Sequence, residues 1–327
     1  MKIVGGSSGL RSGEVPDLRG GLRGGALALG NFDGVHRGHQ AVIRSAMAVA
    51  RERGIPALVA TFDPHPSRFF RPDAQPFALT TTAQKLDLFA GLGVDGAVVI
   101  PFDAALSGLS AEAFARDWLA ERLGIAHVVT GEDFTFGKGR SGKAATLADL
   151  GAPLGFTASA LAPVTDGRTE KANDRGHFCE GAISSTRVRA ALIAGDMPLA
   201  TSLLSRPFTI AMPVVHGDKR GRTIGVPTAN QEMGDYLRPR YGVYAVRVRL
   251  PDGAVRAGVA NLGIRPMFTP PKELLETWIF DWSGDLYGQE IAVELVHFLR
   301  PEIKLDGLEA LKAQIARDAD AARQMLG

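Results

Sequence analysis

The hydrophobic rhythm of this chain changes near residue 205, and no single layer of secondary structure accommodates both rhythms. Before that point, short continuous apolar runs alternate with segments of helical period. Ala26–Leu29, Ala57–Phe62, Gly96–Ile100, His127–Thr130 and Leu154–Ala162 have the length of buried strands, and residues 40–53, 82–92, 110–123, 144–150 and 185–195 carry helical spacing. A strand that is apolar on both faces must be covered on both, so strand and helix in repetition predict an α/β unit built on a parallel sheet. Beyond residue 205, Tyr241–Leu250 alternates apolar with polar residues, Pro251-Asp-Gly253 makes a turn, and Val255–Ala260, Glu276–Phe280 and Glu290–Leu299 read as further strands. Short strands with Gly/Pro turns predict an antiparallel barrel or sandwich. One amphipathic helix, 307–325, closes the chain with Leu308, Leu311, Ile315, Ala319 and Ala322 along one stripe. A chain of 327 residues suits about two domains, with the boundary expected near Leu199–Pro207.

Ligands of a parallel sheet bind beyond the carboxyl ends of its strands. There the first apolar run passes into the first helix through Gly30-Asn-Phe-Asp-Gly-Val-His-Arg-Gly-His39. Backbone N–H groups at a helix start carry partial positive charge and suit a phosphate. The glycines at 30, 34 and 38 let the backbone approach a ligand, and His36 and His39 can add donors as charge develops on a triphosphate. The segment therefore reads as a site for attack on the α-phosphate of ATP. His36 and His39, with Asp33 as a third ligand, also have a spacing that permits a metal, although the glycine setting favours the phosphate.

Further segments carry chemistry of the same kind. Ser184-Ser-Thr-Arg-Val-Arg189 places hydroxyls and two guanidiniums at a helix start, where capping explains one hydroxyl and phosphate clamping would use the rest. Gly137-Lys-Gly-Arg-Ser-Gly-Lys143 nearly spells a phosphate-binding loop, but Ala144 stands where the Mg²⁺-holding hydroxyl belongs, so it reads as a basic loop near a nucleotide. Gly131–Gly137, just upstream, reads as a nucleotide-facing turn. Thr61-Phe-Asp-Pro-His-Pro66 is a strand terminator by its prolines, and equally a wall for a flat ring system through Phe62 and His65. In the second half, the basic glycine-rich stretch Gly217-Asp-Lys-Arg-Gly-Arg-Thr-Ile-Gly225 offers N–H groups to phosphates or is an ordinary polar turn. Thr228 and Asn230 alternate in the extended segment after it, so a hydroxyl and an amide oxygen share one face and suit Mg²⁺ bridging ATP phosphates. Glu276 opens a strand and is a possible general base toward a hydroxyl.

Composition removes several other classes. Lys+Arg 37 against Asp+Glu 35 leaves a net charge of +2, too balanced for a bulk nucleic-acid or membrane-surface binder. Cys179 is the one cysteine, so neither an intramolecular disulfide nor a cysteine zinc site forms. The N-terminal residues lack the apolar core of a signal peptide, and no stretch approaches the ~20 apolar residues of a membrane span. A cytoplasmic location is the resulting expectation; the sequence sets no oligomeric state.

Segments 30–39, 61–66, 131–140, 184–189, 217–230, 258–268 and 276–288 occur in this order in the bacterial bifunctional riboflavin kinase/FMN adenylyltransferases, also called FAD synthetases. The chain resembles that family from about residue 15 to residue 326. The resemblance implies a Rossmann-like, doubly wound parallel-sheet nucleotidyltransferase domain over residues 1–200. An antiparallel β-barrel kinase domain with a C-terminal helix would follow over residues 201–327. It implies phosphorylation of riboflavin by ATP to FMN, then adenylylation of FMN by a second ATP to FAD and pyrophosphate. His36 and His39 would hold the ATP phosphates, in a motif that includes Gly30, Asn31, Phe32, Asp33 and Gly38. Ser184, Ser185, Arg187 and Arg189 would bind the same nucleotide, while Phe62 and His65 would face the flavin. In the kinase, Gly217, Lys219, Gly221, Arg222 and Thr228 would bind ATP, Thr228 and Asn230 would hold its Mg²⁺, and Glu276 would be the general base. Gly284-Asp-Leu-Tyr-Gly288 corresponds to a flap beside that site.

The chain departs from the family pattern in two places: residues 168–182 form a longer approach to the Ser-Ser-Thr-Arg element, and Trp278 stands where a smaller or imidazole side chain is expected. Two other functions compete. A nucleotidyltransferase for another acceptor would have no use for residues 217–288. A catalytically inactive flavin-binding protein would have no use for the full set His36, His39, Arg187, Thr228, Asn230 and Glu276.

Overall fold

The computed structural model describes residues 1–5, 18, 21–167, 181–217, 225–265 and 272–327. Its contacts divide into two compact units, Met1–Ala74 with Thr81–Ser184, and Gln75–Thr80 with Ser185–Gly327.

The first unit is built on strands β1 (Lys2–Gly5), β2 (Ala26–Leu29), β3 (Ala57–Asp63), β4 (Gly96–Pro101) and β5 (His127–Gly131), a short hairpin β6 (Thr135–Phe136) and β7 (Gly142–Lys143), and β8 (Thr157–Leu161). Six of these form one sheet in the order β1-β4-β3-β2-β5-β8, and every neighbouring pair is parallel. The helices are α1 (Arg37–Arg53), α2 (Pro66–Phe70), α3 (Thr82–Leu92), α4 (Ala104–Ser107), α5 (Ala111–Ala113) and α6 (Ala144–Gly151). Because successive residues of a strand point to opposite faces, each apolar run feeds two cores. Leu27, Leu29, Leu58 and Ala60 pack with Phe114, Leu119 and Phe156 on one side. Ala28 and Val59 pack with Ile43 and Phe89 on the other. This two-sided burial makes the sheet doubly wound. Strand order reverses at β2, whose neighbours are β3 and β5, so the crevice beyond the ends of β2 and β5 is the topological switch point.

Three local expectations needed revision. The 110–123 segment is α5 followed by a π-helical stretch, Phe114–Arg122, rather than one α-helix. The last apolar run forms a shorter strand, β8, which is a half-exposed edge because it has a neighbour on one side only. The opposite edge, β1, follows from no apolar run, as Ile3 and Val4 alone are apolar in it.

One buried imidazole ties the β8 edge to β5. His127 Nδ1 lies 2.6 Å from Thr157 Oγ1 and Nε2 lies 2.9 Å from Ser159 Oγ. Burial, reinforced by the charge of Arg53, pushes His127 below its ordinary value of 6.5. The unfolded chain then binds the proton more readily, so this contribution to stability is present above 6.5 and is lost as pH falls through the lowered folded value. The melting temperature is expected to drop between about pH 7.5 and about pH 5.5, and His127→Gln should make that drop smaller. An unchanged drop in the variant would remove His127 from the acid response.

The second unit contains α7 (Ser185–Ala194), α8 (Met197–Leu204), β9 (Phe208–Pro213), β10 (Ala229–Glu232), β11 (Gly242–Arg249), β12 (Val255–Arg265), β13 (Lys272–Ile279), β14 (Glu290–Arg300) and α9 (Gly307–Leu326). The six strands run β10-β13-β12-β11-β14-β9, all antiparallel. The edges almost meet: Val215 N donates to Asn230 O at 2.8 Å. The Gln231 amide donates to Met212 O at 2.7 Å and Ile291 O at 2.9 Å, making the sheet a near-barrel. Tyr244, Val246, Leu262, Val293 and Leu295 are fully buried, as alternation requires of one face. The other face receives α9 through Ala319 and Ala322, packed against Val243, Ala245 and Val259. Arg300 fixes the helix by forking onto Asp318, with Nη2 at 2.6 Å from Oδ2 and Nε at 2.9 Å from Oδ1. Only the later part of the expected apolar stripe is used, since Leu308 and Leu311 are exposed.

The segment 196–204, ahead of the barrel, is helical. Asp196 caps α8 through the N–H of Leu199, and Pro198 occupies its first turn. Residues 75–80 also belong to this unit, with Ala78 N donating to Asp235 O at 3.0 Å and Leu237 N to Ala78 O at 2.8 Å.

Candidate functional site

In the first unit, the chain leaves β2 at Gly30 and must turn sharply into α1. Phe32 and Val35 take φ of 49° and 41°, the left-handed region that a bulky or β-branched residue avoids at a cost of about 1–3 kcal/mol each. Neighbouring groups hold this strained turn. Phe32 is buried and packs edge-on against Phe89, with ring centroids 5.7 Å apart. Val35 O accepts from the Gln40 amide at 3.0 Å. Asn31 O accepts from Thr61 Oγ1 at 2.9 Å and from Lys85 Nζ at 3.4 Å.

His36 is the N-cap of α1, its Nδ1 accepting from His39 N at 3.3 Å. That bond assigns the neutral imidazole proton to Nε2. The His36 and His39 rings stack at 3.6 Å, and Phe32 meets His39 edge-on at 5.3 Å. Gly38 permits the stack, because a Cβ there would stand 3.1 Å from the His36 ring and 3.1 Å from Ile183 O. Asp33 and His36 are buried, whereas the Asn31 side chain is exposed. The turn thus brings Gly30, Asn31, Phe32, Asp33, His36, Gly38 and His39 together at a helix N-terminus on the switch point. Among the described residues, no group of three His, Cys, Asp or Glu is arranged to hold a metal ion.

At the end of β3, Phe62 is buried with its ring 5.8 Å from that of Phe102, which also meets Phe69 and Phe70 edge-on. Phe70 is 64% exposed and is the open ring of this cluster. His65 caps α2, its Nδ1 accepting from Ser67 N at 3.1 Å. Gly137–Ser141 forms the turn between β6 and β7, with Lys138 N bonded to Leu109 O, and Gly142 and Lys143 are β7 itself, so the segment is not a strand-to-helix phosphate loop.

Of the Ser-Ser-Thr-Arg-Val-Arg segment, Ser184 ends the first unit, while Ser185, Arg187 and Arg189 lie on α7 of the second. Arg189 Nε donates to Phe77 O at 2.9 Å, and its guanidinium lies over the Phe77 ring.

Also in the second unit, Asn230 of β10 and Glu276 of β13 are direct ladder partners, and Asn261 of β12 faces Glu276 on the other side. Partners opposite each other share a face, so Asn230, Glu276 and Asn261 form a polar row across three strands. Gly217 lies close to Asn230: a Cβ there would come within 2.4 Å of Nδ2. A cavity of about 380 Å³ lies on the Thr277 side of β13, lined by Thr228, Thr277, Ile279, Trp282, Leu286 and Tyr287 among others but by none of the three residues of the row. Glu276 alternates with Thr277 and points to the opposite face of β13. The flap residues Gly284–Tyr287 form one wall of the cavity, and Tyr287 packs over His216 with ring centroids 3.9 Å apart. Trp278 lies against Phe280 and under Arg323 of α9. Lys219, Gly221 and Arg222 lie outside the described residues, as do Cys179 and most of 168–182.

Sequence reasoning passed over Lys85, Phe70, Thr277 and Trp282. Phe70 carried a usable signal, an aromatic pair with Phe69 directly after the strand terminator. The others become visible only through tertiary placement.

The sequence pattern of the FAD synthetase family matches residues 20–174, and that of the riboflavin kinase family matches residues 204–326. The bifunctional riboflavin kinase/FMN adenylyltransferase of Escherichia coli K12 is 41% identical over 303 residues, covering 92% of each chain. The protein of the same name from Bacillus subtilis is 38% identical over 302 residues, 90% of each. A solved structure named as a macrolide-efflux protein from Streptococcus pneumoniae superposes with a TM-score of 0.79 at 30% identity, covering 93% of this chain and 95% of that one. No helix among the described residues is long and apolar enough to cross a membrane.

Proposed function

The chain belongs to the bifunctional riboflavin kinase/FMN adenylyltransferase family, and on that premise we propose how two ATP-dependent steps are divided among its residues. In the first step the 5′-hydroxyl of riboflavin attacks the γ-phosphorus of ATP, releasing ADP and FMN. In the second a phosphate oxygen of FMN attacks the α-phosphorus of another ATP, releasing pyrophosphate and FAD. The observation that carries this reading is the presence, in one chain, of a helix-capping histidine pair on a parallel-sheet switch point and of the Asn230–Glu276 ladder pair in the near-barrel.

The kinase module, assigned to 201–327, uses Glu276 to take the proton of the attacking hydroxyl. Thr228 and Asn230 would hold Mg²⁺ entering with ATP, and the ion would supply positive charge to the phosphate oxygens. The buried Asn230 side chain beside Gly217 fits this task, since its position is set before any ligand arrives. Gly217, Lys219, Gly221 and Arg222 contribute ATP contacts.

The adenylyltransferase module, assigned to 1–200, receives the triphosphate at the start of α1. First-turn N–H groups and the imidazoles of His36 and His39 meet the phosphates, and Gly30, Asn31, Phe32, Asp33 and Gly38 shape the turn. Ser184, Ser185, Arg187 and Arg189 are assigned to the same nucleotide. Phe62 and His65 shape the flavin end, where the open ring of Phe70 offers a stacking surface. This reading is of a cytoplasmic enzyme of small-molecule substrates (ATP, riboflavin and FMN), without a nucleic-acid or membrane partner.

A chromatographic time course from riboflavin, excess ATP and Mg²⁺ is the direct test. FMN should appear first and FAD follow with a lag. FAD without an FMN phase, or FMN that is never adenylylated, would overturn the two-step scheme.

A further inference from the structure

Lys85 is out of place by ordinary rules. It lies near the N-terminal end of α3, the end at which the helix dipole disfavours a cation. It is only 4% exposed, although lysine is rarely buried unless paired. A lysine ordinarily points to solvent, yet helical spacing puts Lys85 on the same stripe as the fully buried Phe89. Here the side chain instead runs under the carboxyl ends of β2 and β3, where Nζ lies 3.2 Å from Thr61 Oγ1 and 3.4 Å from Asn31 O. Thr61 Oγ1 in turn donates a hydrogen bond to the same Asn31 carbonyl at 2.9 Å.

We propose that Lys85 is a positioning residue for adenylyl transfer, which clamps the Gly30–His36 turn from beneath through Asn31 O and Thr61. The inference rests on the adenylyltransferase reading of that turn. The clamp acts where rigidity is most needed, because the next residue, Phe32, is held at φ 49° and would relax without restraint. It also joins two strand ends: Asn31 begins the turn assigned to ATP, and Thr61 precedes Phe62 on the strand assigned to the flavin. A shift of either end would misalign the two reacting phosphates, and misplacement by about 1 Å is enough to cost roughly 100-fold in rate.

The ammonium has a second consequence. The charged groups facing it are the carboxylates of Asp33, from the turn, and Asp63, from the end of β3. A buried cation that feels both carboxylates offsets negative charge where polyphosphate must approach. Burial holds Lys85 below the ordinary lysine range, and the two aspartates only partly counter it. The clamp is therefore expected to weaken on the alkaline side as the ammonium deprotonates.

The test uses the full-length protein and measures both activities, with riboflavin phosphorylation as the internal reference. Lys85→Met should lower kcat for FMN adenylylation about 100-fold, with KM for ATP changed less and phosphorylation within about twofold of wild type. Lys85→Arg keeps the charge at all accessible pH. It should recover much of the rate and move the alkaline decline of adenylylation to higher pH. Wild-type adenylylation in Lys85→Met, or equal losses in Met and Arg variants with an unmoved alkaline limb, would overturn the proposal. Should Lys85→Met lose both activities through unfolding, Thr61→Val decides. Selective loss of adenylylation supports the clamp, and unchanged adenylylation sinks it. A wild-type protein unable to adenylylate FMN would instead remove the reading on which the clamp rests.

Discussion

Asn230→Ala is expected to lower kcat/KM for riboflavin phosphorylation by about 100- to 1,000-fold while FMN adenylylation stays within about twofold of wild type. The size follows from where Asn230 sits. Its side chain is 6% exposed, it is the ladder partner of Glu276, and Gly217 closes over it so tightly that no Cβ fits. Alanine removes the amide that would hold the phosphate-bound ion and leaves a small polar void beside the proposed base. The barrel should survive, because the ladder around Asn230 is made by its backbone, including the bond from Val215 N to Asn230 O. Kinetics of both steps on one purified sample, with a melting curve, provide the check. Loss of both activities from a protein that melts like wild type would contradict the assignment of the two steps to separate sites.

The converse substitution, His39→Ala, should reduce FMN adenylylation by a similar 100- to 1,000-fold (about 3–4 kcal/mol of transition-state stabilisation) and leave phosphorylation intact, so that FMN accumulates. His39 is the better member of the pair to remove. Its ring is held by stacking on His36 at 3.6 Å and by the edge of Phe32, so its loss opens no helix cap. His36 has a second duty as N-cap, and His36→Ala should cost roughly 1 kcal/mol of stability besides its catalytic effect. His36→Asn separates the duties: asparagine is a strong cap, so stability should return while adenylylation does not. Recovery of adenylylation in His36→Asn would mean that the imidazole serves the helix alone.

Much of the fold was legible because burial wrote itself into composition. Ala26–Leu29 and Gly96–Ile100 could be read as interior strands since polar residues are excluded from both faces. β11 and β14 could be read because apolar residues recur at every second position along them. Edges were harder: β1 has no full apolar run, and β8 is shorter than the run 154–162 that pointed to it, with pairing that depends on neighbours far along the chain. The break at Phe114–Arg122 was illegible because a π-turn preserves the hydrophobic content of an α-helix while changing its hydrogen bonds. At the site, the glycine-histidine turn was legible because glycine, histidine and strand end coincide within ten residues. Lys85 was not, since a lysine in a helix ordinarily signals solvent, and only the packing of α3 beneath β2 and β3 reverses that meaning. The Asn230–Glu276 pair was half legible: each residue carried a chemical hint, but strand register made them neighbours.

Residues 75–80 belong to the second unit although residues on both sides of them belong to the first. Ala78 bridges Tyr236 there, and Arg189 is tied to Phe77. The polypeptide therefore visits the second unit, returns, and enters it finally at Ser185. No single point of gene fission yields two intact halves. A fragment starting at 185 lacks the segment that occupies the backbone of Asp235 and Leu237, and the remainder carries Phe77 and Ala78 without the partners they bond.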